Sequence, residues 1–336
     1  MTTANAGQRP APVLDMKIFI TGANGFIGKA MAERFRTLGA RVSGMDLVAD
    51  PDNDIVAGDV TEPERWAHAL DGVDVVIHTA ALLGAAHPRE RSWHVNVLGT
   101  HKVLRAAIAA GVARFVQFSS VAAYGFDFPA DVAEQYPIAV NGDIYTDTKV
   151  NGEAVVLAAH AAGEIDVTVV RPHDVWGPRS VWVVAPVTES RKATGFPLPD
   201  GGRGIFSPVY IDNFVDGMVL IVSSDKAIGQ VFNLGDGYGV PCSEYFGRIA
   251  EMCGGRIRTL PIGIAATLAD AIRTTLRKLG RKSDLSAGTM YLLNRPATYS
   301  NDKIQTMLGH RPLVSMDEGM ARVEEWLRSE GLAAQR

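Results

Sequence analysis

The chain has 336 residues, of which 47% are hydrophobic and 21% are charged, and its formal net charge is −4. This composition is typical of a globular protein with a sizeable core, and it offers no basic field that would recruit nucleic acid. The two cysteines, Cys242 and Cys253, are too few for a disulfide framework or a metal cluster. We therefore expect a reducing compartment, no bound metal and no nucleic-acid partner.

The first fifteen residues contain Pro10 and Pro12 among small polar residues and no apolar run of signal-peptide length. This pattern predicts a flexible tail over residues 1–15. No later stretch reaches the ~18 apolar residues that a membrane span requires. The expectation is a soluble, cytoplasmic protein.

From Met16 onward, short apolar runs alternate with amphipathic segments. The runs predicted to be buried parallel strands are 17–20, 41–46, 73–81, 114–120 and 166–172. The helical segments between them, such as 28–39 and 99–111, end in glycine, which is typical of a left-handed helix end. Repeated strand–helix–strand units predict an α/β fold with a doubly wound parallel Rossmann sheet.

The regular alternation weakens after Pro178. The later segments are a turn-rich connection at 197–202, a helix at 209–222, a strand with its turn at 230–237 and a helical remainder from about Ser243. We predict a main domain over 16–178, to which 206–237 returns. Residues 179–205 and 238–336 are expected to form a smaller, mostly helical substrate-binding lobe.

A glycine-rich turn, TGANGFIG, directly follows the first predicted strand and places Gly22, Gly25 and Gly28 at GxxGxxG spacing. A strand that turns sharply into a helix brings backbone amides and the positive end of the helix dipole to one point. Side chains at the three glycines would obstruct a pyrophosphate there. The position between a strand and a helix favours dinucleotide binding over an ordinary turn.

Asp46 ends the second predicted strand, eighteen residues after Gly28. A carboxylate there can accept hydrogen bonds from the adenosine ribose and repels a 2′-phosphate, so we expect NAD to be preferred over NADP. Asp59, in the sequence GDV, follows the next short strand, where it would reach the adenine amine or simply occupy a surface turn.

Tyr145 and Lys149 are spaced four residues apart in IYTDTKVNGE, so on a helix they share one face. A cation close to a phenol stabilises the phenolate and lets tyrosine exchange protons with an alcohol or ketone. The spacing alone is common by chance. Its meaning depends on the motifs around it.

Those motifs resemble the extended short-chain dehydrogenase/reductase family, also called the NAD-dependent epimerase/dehydratase family. Besides the glycine turn, they comprise HTAA (78–81), NVLGT (96–100), FSSVAAYG (118–125), YTDTK (145–149), RPHDVWGP (171–178), PVYIDN (208–213) and RPATYSNDKIQTMLGHRP (295–312). The resemblance implies that Tyr145 is the general acid/base, that Lys149 lowers its pKa and binds the nicotinamide ribose, and that Ser120 binds the reacting oxygen. Strand alternation turns Ser119 the other way.

The resemblance also implies a set of NAD contacts and, in many members, a homodimer formed by paired helices. The implied cofactor residues are Gly22, Asn24, Gly25, Phe26, Ile27, Gly28, Asp46, Asp59, Val60, Thr79, Ala80, Ala81, Asn96, Tyr145, Lys149, Pro172 and Val175. Asn96 would support the backbone or the water network of the lysine, or else cap a helix. His78, at a strand end, is interpreted as structural.

Three departures from the family narrow the chemistry. Val121 follows Ser120 where dehydratases carry an acid, so water elimination is disfavoured. Asp174 and Phe206 stand where sugar-nucleotide enzymes place an asparagine and an arginine on the substrate diphosphate. An anion at the first position is unfavourable to a diphosphate, and Arg203 and Arg295 remain as possible anion contacts.

These motifs look more like the branch that contains 3β-hydroxysteroid dehydrogenases. The candidate substrate residues are Leu83, Val121, Asp174, Trp176, Trp182, Arg203, Phe206 and Arg295, and further apolar residues expected at the cleft rim are Phe126, Phe128, Val183, Val184 and Phe196. The favoured interpretation is an NAD-dependent oxidoreductase acting on a secondary alcohol or ketone of a steroid-like substrate. The rivals are a nucleotide-sugar epimerase and a catalytically silent NAD-sensing protein.

The segment 262–282 repeats apolar residues every four positions, at Ile264, Leu268, Ile272 and Leu276, and ends in basic residues. This pattern favours a helix that packs its apolar stripe on the body of the protein. A helix that lies on a membrane surface is the alternative.

Overall fold

The computed structural model describes residue 13, residues 15–281 and residues 283–334. Most of the predicted tail, and Lys282, therefore lie outside the described residues. Val13 is buried and belongs to the same core cluster as Ile18. The prediction of a flexible tail that extends to Asp15 is wrong at Val13, because this side chain is part of the core.

The described part of the chain contains thirteen β-strands. They are β1 (Lys17–Thr21), β2 (Arg41–Asp46), β3 (Ile55–Ala57), β4 (Val75–His78), β5 (Arg114–Phe118), β6 (Asp166–Pro172), β7 (Asp174–Trp176), β8 (Phe196–Pro199), β9 (Ile205–Phe206), β10 (Pro208–Tyr210), β11 (Val231–Leu234), β12 (Val240–Pro241) and β13 (Ile257–Leu260). Seven of them form a parallel sheet in the order β11-β6-β5-β4-β1-β2-β3. The predicted doubly wound sheet is confirmed.

The central strands are apolar on both faces because helices cover both sides of the sheet. In β1, Ile18 and Ile20 belong to one buried cluster, whereas Phe19 between them belongs to the other. The same alternation occurs in β4, where Val75 and Ile77 lie on the side opposite to Val76. Continuous apolar runs therefore form strands that feed two separate cores.

Eleven α-helices lie within the described residues. They are α1 (Phe26–Thr37), α2 (Arg89–Trp93), α3 (Thr100–Ala109), α4 (Ile144–Ala161), α5 (Val181–Ser190), α6 (Ile211–Ser223), α7 (Cys242–Met252), α8 (Ile262–Lys278), α9 (Ala287–Leu292), α10 (Asp302–Leu308) and α11 (Met316–Ser329). A π-helical turn, His94–Gly99, joins α2 to α3. Gly39 and Gly111 follow α1 and α3 with φ of 89° and 71°, which confirms the predicted left-handed helix ends.

The second half of the chain differs from the prediction in its short strands. The turn-rich stretch at 197–202 begins inside β8, which pairs in parallel with β13. The region predicted to be helical from Ser243 therefore contains a strand. Similarly, β10 precedes α6 where a continuous helix was predicted from residue 209. These strands are three or four residues long, too short to show a periodic pattern in the sequence.

Helix α8 packs on the protein through a different face from the predicted one. The buried residues are Ala265, Ala266 and Ala269, whereas Ile264 and Leu268 of the predicted stripe are exposed. Small residues allow a closer approach of the helix to its neighbours, and the larger apolar side chains are left on the outer face. Within the described residues, no helix is both long enough and apolar enough to cross a membrane.

Candidate active site

The carboxyl ends of the parallel strands meet at one edge of the sheet, which is where ligands bind in this class of fold. Gly22 follows β1, Thr79 follows β4 and Ser119 follows β5. The register pairs Thr21 with His78, and His78 with Gln117, so these strand ends are level. The fold therefore brings together the motifs that are far apart in the sequence.

The glycine-rich turn is tightly closed. Gly22 has φ of 71°, and a Cβ on it would lie 2.8 Å from Oγ1 of Thr79. A Cβ on Gly28 would lie 2.3 Å from the carbonyl oxygen of Gly22. No side chain caps α1, which starts at Phe26 and Ile27, so its leading amides are available to an anion. The turn has the geometry of a phosphate-binding loop.

Asp46 lies beside this turn at the end of β2. Its carboxylate accepts a hydrogen bond from the backbone N–H of Asn24 at 2.9 Å and another from that of Leu47 at 2.7 Å. The side-chain amide of Asn24 donates to the carbonyl of Val48 at 2.7 Å. These bonds hold the predicted ribose-binding carboxylate against the glycine-rich turn.

Two other predicted cofactor segments border the same edge. Thr79 donates from its hydroxyl to the carbonyl oxygen of Thr21 at 2.7 Å, and it leads into the half-buried Ala80 and Ala81. Asp59 accepts hydrogen bonds from the backbone and hydroxyl of Thr61. Burial raises the pKa of Asp59, but the bonds from Thr61 outweigh that effect and lower it overall.

Other members of the predicted cofactor set are less accessible. Val60 is buried beneath Gly99, where a Cβ would lie 2.7 Å from its methyl group. Pro172 and Val175 are also buried, at the end of β6 and within β7. These three residues shape the backbone near the strand ends, and cofactor contact through their side chains stays a prediction.

His78 has a structural role, as interpreted from the sequence. It is buried, and its ring nitrogens lie 2.7 Å from the hydroxyl of Thr21 and 3.0 Å from that of Thr100. Burial, together with the nearby charge of Lys149, lowers its pKa to about 3. A neutral His78 therefore joins β1, β4 and α3.

The catalytic side chains predicted from the family motifs lie together at this edge. Asp143 caps α4 by accepting a hydrogen bond from the N–H of Thr146 at 3.0 Å, which fixes the first turn that carries Tyr145. Ser120 follows β5 and hydrogen-bonds Tyr145. The ammonium of Lys149 lies 5.6 Å from the centre of the Tyr145 ring. Chance spacing does not account for this arrangement.

The pKa of Tyr145 is raised in this structure, whereas the family resemblance implied a lowered one. Burial raises its pKa to about 12, with smaller increases from Asp143 and Asp174, whereas the bond with Ser120 opposes the shift. The ammonium of Lys149 donates to the carbonyl of Phe118 at 3.0 Å, and burial lowers its own pKa to about 8.

Behind Lys149 lies a buried ion pair that sequence reasoning missed. Glu153, one helical turn further along α4, pairs with the guanidinium of Arg171 at 2.7 Å and 2.9 Å. Ser119 donates to the same carboxylate, which confirms that it faces away from the Ser120 side. Arg171 also donates to the hydroxyl of Tyr124 at 2.7 Å. The signal was the KVNGE spacing, which places Glu153 four residues after Lys149.

Asn96 supports the backbone at Leu82, which agrees with the interpretation that it is a supporting residue and not a helix cap. Its amide accepts from the N–H of Leu82 at 2.7 Å and donates to the carbonyl of Leu82 at 2.9 Å. It also donates to the hydroxyl of Thr148, beside Lys149, at 3.1 Å. The helix-cap alternative is wrong, because Asn96 lies inside the π-helical turn.

Several predicted substrate residues belong to the core. Phe206 is fully buried and stacks on Tyr245, with ring centres 3.8 Å apart. Trp176 is fully buried between Tyr210 and Tyr245. Phe128, Val183 and Val121 are also buried. For Phe206, Trp176, Phe128 and Val183 the rim prediction is wrong, because aromatic and aliphatic packing removes them from the surface. Substrate contact by Val121 stays a prediction.

Asp174 and Arg295 neutralise each other. Both side chains are buried, and the guanidinium donates two hydrogen bonds to the carboxylate, one of them at 3.3 Å. Asp174 also accepts from the N–H of Ser207 at 2.9 Å. Asp174 is therefore not an unpartnered anion, and Arg295 is not a free anion contact. The expectation of an anion contact at Arg295 is wrong.

The accessible part of the predicted substrate set is small. Leu83 and Arg203 are exposed, Val184 is exposed, and Trp182, Phe126 and Phe196 are half-buried. The ring of Phe126 stacks on Tyr291 of α9 with centres 6.2 Å apart. Substrate contact by these residues stays a prediction.

Comparison with known proteins identifies the family. The model of the NAD dependent epimerase/dehydratase family matches residues 18–235. The chain belongs to this family. A 3-beta-hydroxysteroid dehydrogenase of Mycolicibacterium neoaurum is 30% identical, with coverage of 91% of this chain and 89% of that protein. A 4-hydroxy-2-methyl-3-oxo-4-farnesyl-3,4-dihydroquinoline-1-oxide ketoreductase of Stigmatella aurantiaca is 28% identical over 95% of this chain and 98% of that protein.

A solved structure shares the fold. A short-chain dehydrogenase/reductase superfamily protein from Agrobacterium tumefaciens with bound NAD superposes with a TM-score of 0.74 at 23% identity, covering 94% of this chain and 98% of that chain. This epimerase/dehydratase family member is an enzyme of the extended short-chain dehydrogenase/reductase type, and its cofactor is NAD. The residues fit that cofactor, because the turn at Gly22 and Gly28 has no room for side chains.

Proposed function

We propose that this enzyme interconverts a secondary alcohol and a ketone on a hydrophobic, steroid-like substrate, with Ser120, Tyr145 and Lys149 as its catalytic residues. The observation that carries the proposal is the placement of the Ser120–Tyr145 hydroxyl pair, with Lys149 alongside, at the sheet edge that also holds the glycine-rich turn. When bound there, NAD supplies the hydride acceptor or donor.

Tyr145 is the group that moves the proton. With its pKa raised to about 12, it is a neutral phenol near pH 7 and is ready to donate to a ketone oxygen. In the oxidising direction it must first lose that proton, which becomes easier as the pH rises. Ser120, in hydrogen-bonding contact with Tyr145, holds the same substrate oxygen.

Lys149 is held in place by the protein around it. Its ammonium is anchored on the carbonyl of Phe118, and the carboxylate of Glu153 raises its pKa against the effect of burial. The Glu153–Arg171 pair is itself fixed by Ser119 and Tyr124. Lys149 therefore keeps a single orientation towards the Tyr145 side.

The pairing of the charged residues near the site supports the choice of substrate class. Sugar-nucleotide diphosphates need cationic contacts, but the guanidinium of Arg295 is already paired with Asp174. Phe206, in the position where sugar-nucleotide enzymes carry an arginine, is an apolar core residue. Two relatives at 30% and 28% identity carry names that specify a steroid dehydrogenase and a farnesyl-quinoline ketoreductase. These observations support an apolar ring substrate.

The test uses purified protein with NAD and three panels: steroid alcohols, other secondary alcohols and UDP-sugars. Absorbance of the reduced cofactor reports oxidation, and chromatography of the sugars reports epimerisation. We expect reduced cofactor with one of the alcohol panels, and formation that is roughly 10²–10⁴-fold slower in the Tyr145→Phe control. Interconversion of a UDP-sugar without alcohol oxidation would replace this proposal with the epimerase, and NAD binding without any turnover would replace it with the silent sensor.

A further inference from the structure

The outer face of α8 carries an apolar surface that the rest of the described chain does not cover. Ile264, Leu268 and Ile272 are 56%, 46% and 37% exposed, and Leu279, just after the helix, is 70% exposed. On a helix, residues four apart lie on one side, so Ile264, Leu268 and Ile272 form a continuous stripe. We call these four residues the α8 stripe.

Polar groups on this side of α8 do not require water. The hydroxyl of Thr267 donates to the carbonyl of Gly263 at 2.8 Å, and that of Thr275 donates to the carbonyl of Ala271 at 2.9 Å. The carboxylate of Asp270 is already bonded within the protein, because it accepts a hydrogen bond from the N–H of Ala287 and pairs with Arg273. The exposed face can therefore enter an apolar environment without leaving hydrogen-bonding groups unsatisfied.

Basic residues gather at the carboxyl end of the stripe. Residues 262–282 contain five basic residues and one acidic residue, although the whole chain has a net charge of −4. Arg277, Lys278 and Arg281 are exposed, and none of the three has an ion-pair partner among the residues that the structure describes. An apolar stripe with long basic side chains at its border is complementary to a lipid surface with anionic head groups.

The same segment leads directly to the catalytic end of the protein. The carboxylate of Asp284 accepts from the N–H of Ala86 at 3.2 Å, in the loop that follows β4 and includes the exposed Leu83. A Cβ on Gly288 of α9 would lie 2.4 Å from Oδ2 of Asp143, the residue that caps the helix of Tyr145. Asp284 and Gly288 therefore lie beside the loop after β4 and the start of α4.

We infer that the α8 stripe docks the enzyme on an anionic lipid surface, with its neighbouring basic residues contacting the lipid head groups. A second copy of the chain is the less favourable occupant, because the charged groups on the same face of that copy are only further basic residues and Asp270, which already pairs with Arg273. The docking surface itself needs no assumption about the substrate. Its value to the enzyme rests on the proposed function, since an apolar alcohol or ketone partitions into lipid.

The test measures co-sedimentation of the whole protein with lipid vesicles, without cofactor or substrate. Vesicles of phosphatidylcholine alone are compared with vesicles that also contain phosphatidylglycerol, and we expect binding to the second kind that weakens as salt is added. The Leu268→Ser, Ile272→Ser double variant should lower the partition coefficient by about tenfold or more. The Arg277→Gln, Lys278→Gln double variant should lose about tenfold on the anionic vesicles only.

The matched control is Leu313→Ser, which removes an apolar side chain that is 77% exposed elsewhere on the protein. It should leave vesicle binding unchanged, and circular dichroism should show all variants folded. No vesicle binding by the wild type, or equal loss with Leu313→Ser, would overturn the inference. A dimer that dissociates in the Leu268→Ser, Ile272→Ser variant, with vesicle binding unaffected, would assign the stripe to a second copy. Vesicle binding with no alcohol turnover would reject the proposed function and leave the docking surface in place.

Discussion

The buried Asp174–Arg295 pair offers a quantitative test of how this protein neutralises charge beside its active site. The guanidinium of Arg295 is almost completely removed from water, and its two hydrogen bonds to a carboxylate go to Asp174. Replacing Asp174 by asparagine removes the compensating charge and leaves a buried cation. Replacing Arg295 by methionine leaves the carboxylate with the single N–H of Ser207.

Breaking a buried pair by removing one partner costs about 3–5 kcal/mol, because the remaining charge stays buried without compensation. For a chain of this size, each kcal/mol corresponds to about 2–4 °C in the thermal midpoint. Asp174→Asn and Arg295→Met should therefore each lower the midpoint by roughly 10 °C. The double variant should lose less than the sum of the two, since it leaves neither charge unpaired.

The assay is thermal unfolding of the wild type, both single variants and the double variant at one pH, followed by circular dichroism and calorimetry. Lys192→Met is the matched control, because Lys192 pairs with Glu189 at 2.6 Å but both side chains are exposed. Its cost should stay below about 1 kcal/mol. Single variants of Asp174 and Arg295 that unfold within about 1 kcal/mol of the wild type, or a strictly additive double variant, would refute the reasoning.

Four further predictions concern catalysis, the cofactor and pH. Tyr145→Phe should lower turnover by roughly 10²–10⁴-fold and leave the NAD affinity, measured by calorimetry, nearly unchanged. Lys149→Met should lower both the turnover and the NAD affinity. Wild-type turnover by Tyr145→Phe would remove Tyr145 from the mechanism. NAD should bind more tightly than NADP, and Asp46→Ala should narrow the difference; equal affinities in the wild type would contradict the role of Asp46. Because the pKa of Tyr145 is raised to about 12, the rate of alcohol oxidation should keep rising with pH through the alkaline range. A rate that levels off near neutral pH would argue against a buried phenol as the base. The lowered pKa of His78, about 3, means that its contribution to stability is complete above pH ~6.5 and is lost as the pH falls towards 3. Over that window the unfolding free energy of the wild type should fall by up to ~1.4 kcal/mol per pH unit more than that of His78→Asn, and parallel pH curves would show that His78 does not take up a proton on unfolding.

The sheet and its catalytic edge could be predicted from local patterns in the sequence. Buried parallel strands are largely apolar, as in the Val75, Val76 and Ile77 run of β4, so a single run of residues is enough to mark each one. The glycine spacing is equally local, because a Cβ on Gly28 would meet the carbonyl oxygen of Gly22 in the same turn, and Gly22 itself has a positive φ of 71°. The pairing of Ser120 with Tyr145 was implied by the family motifs, one at the end of β5 and the other at the start of α4.

Only the tertiary structure decided how the charged and apolar side chains are paired. Asp174 and Arg295 are 121 residues apart, and no local pattern shows that one neutralises the other. Phe206 appeared available to a substrate until its contact with Tyr245 placed it in the core. The periodicity of α8 marked an apolar stripe on the helix. Whether the stripe or the alanine face packs against the rest of the protein depends on the shape of the neighbouring segments, which the sequence of the helix does not show. Burial and charge pairing are properties of contacts between distant segments, so they are determined when the chain folds and not by the spacing of residues along it.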